Sequence, residues 1–297
     1  MELDVLVIGG VGIDTIVRVP SLPLKEAETI GVEPIESYLG HTGHGVTLGC
    51  HLLGLQAGLV DVIGDDVEGD RIRRTYAELR LPLHVALHPA GTRRSVNLVA
   101  PDGQRLSLYD RRHPAGLRVD PDLWRTNVVH ARHVHVSIMD FARYALGDAI
   151  AAGCTVSTDL HDWDGRNDYH KDFATAADIV FVSTGALAED AVDWIFANGR
   201  AEVVVAMSGA NGSYLHVRDQ PTRHLPAIHL PDRRVVDTNG AGDAYVAAFL
   251  ARFLDGVSWH DAALAGTVAG AWACTTPGTH ANLITAEELA LWTRQYI

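Results

Sequence analysis

The segment VVDTNGAGDAYVAAFL, residues 235–250, runs from β-branched residues through a glycine turn into an apolar stretch. The apolar residues after the turn predict a buried helix over residues 241–254. Asp243 would lie in its first turn, against unpaired backbone N–H groups and the positive end of the helix dipole. A helix start of this kind binds anions and keeps a carboxylate ionised. The N–H donors would be those of Gly240, Ala241 and Gly242.

Asp243 is therefore a candidate general base. Phosphoryl transfer from ATP to an alcohol needs donors that neutralise the transferring group and a nearby carboxylate that takes the hydroxyl proton. The alternative is that Asp243 only stabilises its helix. The double glycine of the turn and a second acid, Asp237, favour the catalytic interpretation.

Strand-like and helix-like runs alternate over most of the chain. This pattern predicts an α/β fold with a doubly wound, mostly parallel sheet flanked by helices, and we assign residues 1–297 to a single domain. Capping-box spacing marks two helix starts, Ser258 with Asp261 and Thr285 with Glu288. The strand-like runs are LDVLVIGG, GLVDVIG, HVHVS, CTVSTDL, DIVFVST and EVVVAMS.

Two segments, about residues 15–38 and 93–110, break this alternation. Both show short alternating strand patterns, and the second folds back at Pro101-Asp102-Gly103. We expect them to form a small projecting β-sheet, a lid that orders when substrate binds. An edge extension or a dimer surface is compatible with the same pattern, so a homodimer through the lid is included in the prediction.

The bulk composition excludes several classes of partner. The chain has 297 residues, 47% apolar, with a formal net charge of −13. A protein with this negative charge is repelled by nucleic acid and by an anionic membrane, so we expect neither as a partner. The chain shows neither a basic leader nor an apolar run long enough to span a membrane, and we expect a cytoplasmic protein. The scattered cysteines, Cys50, Cys154 and Cys274, are typical of buried thiols in a reducing compartment.

Two further glycine turns are candidates for ligand contacts. Gly9 to Asp14 follows the first strand, but Thr15 stands where a dinucleotide motif needs glycine, and an extended VRVPSLP follows instead of a helix. We expect Asp14, at the end of that first strand, to contact a ligand. The second cluster, residues 40–45, would let the backbone approach a small molecule. The histidine pair in HVH, His133 and His135, has no partner at metal spacing and favours a structural role.

DTNGAGD resembles the D-T-x-G-A-G-D signature of the ribokinase-like (PfkB) carbohydrate kinases, and the resemblance extends over nearly the whole chain. Asp14 is similar to that family's substrate-hydroxyl contact. The glycine cluster with VIGDDVEGD resembles its G-G-x-x-x-N…G-D-D-x-x-G block, and SGANGSYL (208–215) resembles its nucleotide turn.

The resemblance implies an ATP-dependent kinase with Mg²⁺ and in some members K⁺, acting on a hydroxyl, expected to be primary, of a small sugar or sugar-like metabolite. Asp243 would be the base and the 240–242 turn the anion hole. The implied substrate-binding residues are Asp14, Gly40, His41, Gly43, His44 and Gly45. The implied nucleotide-binding residues are Ser208, Gly209, Asn211, Gly212 and Gly242. The implied monovalent-cation residues are Asp237, Thr276 and Gly278.

Departures from the family pattern leave alternatives open. Gly45 replaces the usual Asn, Gly12 replaces a polar residue, and Ser183 to Ala186 replaces the Mg²⁺-linked N-x-x-E. Met207 stands where a polar residue is common.

A nucleoside is the nearest competing substrate, and a non-catalytic ligand-binding or regulatory homologue is the second class. Four arginines near the lid could hold an anionic substrate, although solvated lid charges are the more ordinary interpretation: Arg93, Arg94, Arg111 and Arg112.

Overall fold

A nine-stranded sheet forms the central layer of the computed structural model, which describes residues 2–101 and 103–296. The strand order is β13-β12-β11-β10-β9-β8-β1-β4-β5, with parallel pairing from β11 to β5 and antiparallel pairing at β12 and β13. The strands of this sheet are β1 (Leu3–Ile8), β4 (Ala57–Ile63), β5 (Leu83–Leu87), β8 (Ala131–Ser137), β9 (Thr155–Asp159), β10 (Ile179–Ser183), β11 (Val203–Met207), β12 (Ser213–Val217) and β13 (Arg223–Leu225).

Helices cover both faces of this sheet. Strand β1 shows why, because Leu6 and Ile8 pack into one apolar core and Val5 and Val7 into the other. Side chains alternate across a strand, so a continuous apolar run must be covered on two sides. The helices are α1 (Thr42–Leu52), α2 (Val67–Glu78), α3 (Asp122–Val128), α4 (Leu146–Ala151), α5 (Lys171–Ala176), α6 (Ala191–Asn198), α7 (Ala241–Leu254), α8 (Trp259–Ala273) and α9 (Ala286–Thr293).

The predicted helix starts are confirmed. Helix α7 spans the residues expected of the helix after the signature turn, and its side chains from Ala244 to Ala251 are buried. The hydroxyl of Ser258 accepts the N–H of Asp261 at the start of α8, and Thr285 forms a full capping box with Glu288 at the start of α9.

A separate four-stranded sheet, the lid sheet, projects from the core. Its order is β3-β2-β6-β7, and its strands are β2 (Gly12–Arg18), β3 (Glu36–Gly40), β6 (Arg94–Val99) and β7 (Arg105–Asp110). The small separate sheet expected from the alternating segments is thus present. Its bounds differ from the prediction, because β2 begins three residues earlier and β3 runs into the glycine cluster. Asp102, in the predicted turn, lies outside the described residues.

The position predicted for Asp14 was wrong. Strand β1 ends at Ile8, and Asp14 is the third residue of β2, paired with Tyr38 on one side and Ser95 on the other. The carboxylate therefore belongs to the lid sheet and not to the carboxyl edge of the central sheet. The glycines at 9 and 10 both have positive φ, and they divert the chain from the core into the lid.

Candidate active site

The signature turn lies at the start of α7. Gly240 occupies the N-cap position with φ 77°, a left-handed conformation that favours glycine, and no side chain among the described residues caps this end. No side-chain acceptor in the described part of the chain occupies this helix end, as an anion hole requires, and the N–H of Ala241 makes one long bond, to the carbonyl of Thr238 at 3.4 Å. Asp243 lies in this first turn, where the helix dipole favours its charge.

Asp243 has a partner that sequence reasoning missed. Nε2 of His280 lies 2.6 Å from Oδ2 of Asp243, and a carboxylate oxygen makes the imidazole the donor. The His280 side chain is 1% exposed, against 15% for Asp243. His280 lies in the loop between α8 and α9, with φ 57°. Two features of the sequence could have indicated His280: it lies in the loop that also contains Thr276 and Gly278, and the usual Asn is missing at position 45.

Asp237 is enclosed by donors. Its Oδ1 accepts the backbone and side-chain N–H groups of Asn239, at 3.0 and 2.8 Å, and its Oδ2 accepts the N–H of Gly278 at 3.2 Å. The guanidinium of Arg18, from the lid sheet, lies 3.2 Å from the same Oδ2. The buried carboxylate thus already has a cationic partner and a full set of donors. This arrangement does not fit a monovalent cation bound through Asp237.

The lid sheet makes a second bond to the signature turn. Nη1 of Arg105, the first residue of β7, donates to Oδ1 of Asn239 at 2.7 Å. A cavity of about 740 Å³ lies between the tip of the lid sheet and residues 235–238. Its walls include Glu33 as well as the two lid arginines, alongside the apolar side chains of Val99 and Val236.

Asp14 and His41 form the buried polar group on the inner face of the lid sheet. Oδ2 of Asp14 accepts the backbone N–H of His41 at 3.2 Å, and Oδ1 lies 3.3 Å from the His41 Nε2. Ser95 Oγ lies 3.1 Å from the same nitrogen. Burial lowers the pKa of His41, and the nearby Asp14 carboxylate opposes that shift. The structure therefore brings together Asp14 and His41, two of the residues predicted to bind substrate, and that role stays a prediction.

Glycines in the cluster let two turns pack closely. A β-carbon at Gly43 would collide with the carbonyl oxygen of Gly9, and one at Gly40 would collide with the Asp14 carboxylate. The N–H of His44 donates to the carbonyl of Gly10 at 2.9 Å. The turn that superficially suggested dinucleotide binding thus holds the start of α1 in place.

His44 lies in the core beneath this cluster. Its Nδ1 is 3.1 Å from the hydroxyl of Tyr76, and its ring packs edge-on against His280. Burial lowers the pKa of His44 to about 3, so it is neutral at ordinary pH. These contacts indicate that His44 supports the site from below, and a direct substrate contact stays a prediction.

The turn at residues 208–212 joins β11 to β12. The N–H of Ser208 donates to the carbonyl of Gly212 at 2.7 Å, and Thr184 donates to the Ser208 hydroxyl at 2.9 Å. Gly212 has φ 87°, and a β-carbon there would collide with the carbonyl of Leu225. A β-carbon at Gly242 would lie 3.8 Å from Met207 Cε, which places this turn beside the anion hole.

Arg93 is not a solvated lid charge, and that interpretation was wrong for this residue. It is buried and paired with the fully buried Asp61, which also accepts the N–H of Val11 at 2.5 Å. Arg112 pairs with Asp110 at the lid edge. Arg93 is therefore committed to joining β6 to the core and is not free to hold an anionic substrate.

His133 and His135 have internal partners. In His133, Nδ1 lies 2.7 Å from Thr155 Oγ1 and Nε2 lies 2.7 Å from Ser157 Oγ. His135 Nδ1 lies 2.8 Å from the same serine oxygen. Within residues 2–101 and 103–296, no group of three His, Cys, Asp or Glu side chains is placed to hold a metal ion. In the same residues, no helix has both the length and the apolarity needed to cross a bilayer.

Comparison with known proteins identifies the family. The pfkB family carbohydrate kinase model matches residues 167–286. The chain is 44% identical over 284 residues to an acarbose 7(IV)-phosphotransferase of Actinoplanes sp., with 95% of each protein covered. The chain belongs to the pfkB family of carbohydrate kinases.

Solved structures place this pfkB kinase in the ribokinase fold. A microbiome-derived acarbose kinase shares 52% of its sequence, with a TM-score of 0.94 over 99% of this chain and 100% of that one. Arabidopsis thaliana ribokinase, solved with ribose and ATP, shares 20% identity with a TM-score of 0.81 over 99% of each chain. The second likeness concerns the fold alone. The predicted class, an α/β carbohydrate kinase with a small separate sheet, is confirmed.

Proposed function

We propose that this carbohydrate kinase transfers the γ-phosphoryl group of ATP to a hydroxyl, expected to be primary, of an acarbose-type carbohydrate. The observation that supports the reaction is Asp243 in the uncapped first turn of α7. Asp243 would take the acceptor proton while the N–H groups of Gly240, Ala241 and Gly242 stabilise the transferring phosphoryl group. The relative that is 44% identical supports the substrate class.

The cavity between the lid tip and residues 235–238 supports an acceptor larger than one sugar ring. Its volume, about 740 Å³, falls in the range of small-molecule sites, and its walls lie beside the signature turn without including Asp243 or Asp14, as expected of a subsite remote from the reacting hydroxyl. The Actinoplanes relative is named as a phosphotransferase that acts on acarbose, which is consistent with this proposal. Arg18, Arg105 and Glu33 would bind hydroxyl groups remote from the reacting one, since charged side chains form strong hydrogen bonds with hydroxyls.

On the nucleotide side, we propose that ATP arrives as its Mg²⁺ complex. Ser208, Gly209, Asn211 and Gly212 would border the nucleotide, since their turn lies beside Gly242. The exit of β10, where the family pattern places N-x-x-E, presents Ser183 and Thr184 instead. This exit therefore does not fit a divalent-ion site of the family pattern, and Asp237, already paired with Arg18, does not fit a K⁺ site.

ADP release in a panel of acceptors tests this function. We expect turnover with acarbose and less with ribose, ribose 1-phosphate and nucleosides at equal concentration. Preference for a nucleoside would establish the competing substrate class. ATP binding by calorimetry without turnover on any acceptor would contradict the kinase assignment and favour a ligand-binding homologue. Mass spectrometry of the product locates the phosphorylated hydroxyl.

We also propose that the lid sheet pairs two copies of the chain. Its outer face includes an apolar patch, in which Leu106 and Leu108 are about half exposed, next to Val96 and Leu98 of β6. Exposed apolar patches of this kind mark protein interfaces. Sedimentation should show a wild-type dimer that Leu108→Glu dissociates. Leu291→Glu, at an equally exposed leucine on α9, is the matched control.

A further inference from the structure

His280 stands outside the signature that defines the reaction, yet it makes the shortest polar contact to its proposed base. We propose that His280 is a positioning residue that holds Oδ2 of Asp243 and thereby leaves Oδ1 for the acceptor hydroxyl. This inference rests on the proposed function, because it assigns a partner to the base in that reaction. The bond joins Nε2 to Oδ2 at 2.6 Å, a distance typical of strong charge-assisted hydrogen bonds.

Two glycines make the space that the imidazole occupies. A β-carbon at Gly45 would collide with Nε2 of His280 and lie 2.7 Å from Cβ of Asp243. A β-carbon at Gly240 would lie 2.7 Å from Cδ2 of the same imidazole. At position 45 the family pattern usually has asparagine, whereas this chain has glycine, and a side chain there would collide with His280. The absence of an amide side chain at position 45 therefore makes room for the buried imidazole of His280.

The burial of His280 does not favour a purely structural role. Its Nδ1 is buried and has no hydrogen-bond partner among the described residues. Burying an unpartnered polar atom costs stability, so an apolar side chain would fill this space better. The backbone φ of 57° adds a further cost for a residue with a β-carbon. A histidine in this position is explained by the bond that its other nitrogen makes to Asp243.

The physical effect is to limit the orientations of the carboxylate. An aspartate in the first turn of a helix can rotate about two side-chain bonds, and only some rotamers direct an oxygen toward the acceptor. The imidazole is 1% exposed and packs edge-on against His44, so it is a rigid donor. A base held in this way reaches the acceptor proton without first losing rotational freedom. The step needs no change in the protonation of His280.

Two substitutions of similar volume separate this role from packing. His280→Gln keeps an N–H donor and His280→Met does not, while both impose the same strain at positive φ. We expect His280→Met to lose about 10- to 100-fold in kcat, less than the roughly 10²–10⁴-fold expected for loss of the base itself, with KM for ATP unchanged. His280→Gln should recover most of that loss at the same Tm. Equal kcat in the two variants would overturn the proposal.

A double-mutant cycle adds a readout that a structural residue would not give. If His280 acts through Asp243, His280→Met added to Asp243→Asn should cost no further turnover. Additive losses would overturn the proposal. The single Asp243→Asn variant separates the two hypotheses. If it keeps normal turnover, the proposed base is wrong; if it is inactive while the His280 variants match wild type, only the role of His280 fails.

Gly45→Ala tests the same contact if His280→Met does not fold. Alanine favours a helix more than glycine does, so α1 itself should not suffer. The added methyl group would collide with the imidazole of His280 and with Cβ of Asp243, so the contact between them cannot persist and we expect a fall in kcat with KM for ATP retained. A folded Gly45→Ala enzyme with wild-type kcat would contradict the inference.

Discussion

The start of α7 and the lid sheet contribute opposite kinds of structure to one site. Helix α7 is buried along most of its length between the central sheet and α8, and its first turn carries Asp243. The lid sheet has a half-exposed outer face and contacts the signature turn through the Arg18 and Arg105 side chains. Rigid elements give precise geometry, whereas exposed and weakly packed elements open at lower cost.

This contrast suggests a division of labour. In the proposed reaction, the core would fix the group that reacts, and the lid sheet would carry the groups that select the acceptor. Substitutions on the two sides should therefore affect different kinetic constants.

The largest effect is expected on the core side. Asp243→Asn should fold, bind ATP normally and lose roughly 10²–10⁴-fold in kcat, because a general base is removed. Rapid-quench kinetics and calorimetry with an ATP analogue measure the two quantities. Asp255→Asn, just beyond the other end of α7, is the control. Near-normal kcat for Asp243→Asn would show that the acceptor proton goes elsewhere.

A smaller effect, on kcat/KM for the carbohydrate, is expected from substitutions on the lid side. Asp14→Ala should lower kcat/KM for the carbohydrate by at least about tenfold, the cost of one charged hydrogen-bonding partner, and leave ATP affinity unchanged. Thr15→Ala is the matched control, since the Thr15 hydroxyl bonds to Ser37 at an exposed position of the same strand. Equal losses for both substrates would mean that Asp14 only supports the fold.

Buried histidines of the core should also make the protein sensitive to acid. Burial lowers the pKa of His133 to about 3 and that of His135 to about 4, below the ordinary value near 6.5. The unfolded chain therefore binds more protons below pH 6.5, and the free energy of unfolding should fall as pH drops from 6.5 toward 4, by up to roughly 1.4 kcal/mol per pH unit for each histidine.

Urea unfolding between pH 7.5 and 5 measures this slope. His133→Gln should flatten it, whereas the exposed His229→Gln should not. A wild-type slope in His133→Gln would assign the acid sensitivity to other groups.

No effect is expected from exchanging the monovalent cation. Arg18 already supplies a positive charge to Asp237, so initial rates in potassium and tetramethylammonium chloride should be the same at equal ionic strength. Arg18→Met should remove that charge and make the rate rise with K⁺. A wild-type enzyme that is stimulated by K⁺ would show that the guanidinium leaves Asp237 during turnover.

Sequence patterns predicted the parts of the molecule that local rules control. The span of α7, both capped helix starts and the alternating lid strands follow from periodicity and side-chain spacing. The contacts of Asp243 with His280 and of Asp237 with Arg18 did not follow, because they join residues 37 and 219 positions apart. The place of Asp14 was missed because the positive φ of Gly9 and Gly10, which starts a new sheet, is not visible in the residue types alone.

The two ends of the central sheet bear on how copies of the chain can meet. Strand β13 is only three residues long, with Arg223 and His224 exposed, and β5 at the other end has five. Short, charged or half-covered edges resist strand-to-strand addition by a neighbouring molecule, a common route to aggregation. The short edges of the central sheet therefore disfavour joining two chains there, and the contact proposed through the lid sheet would leave the native fold intact at high concentration.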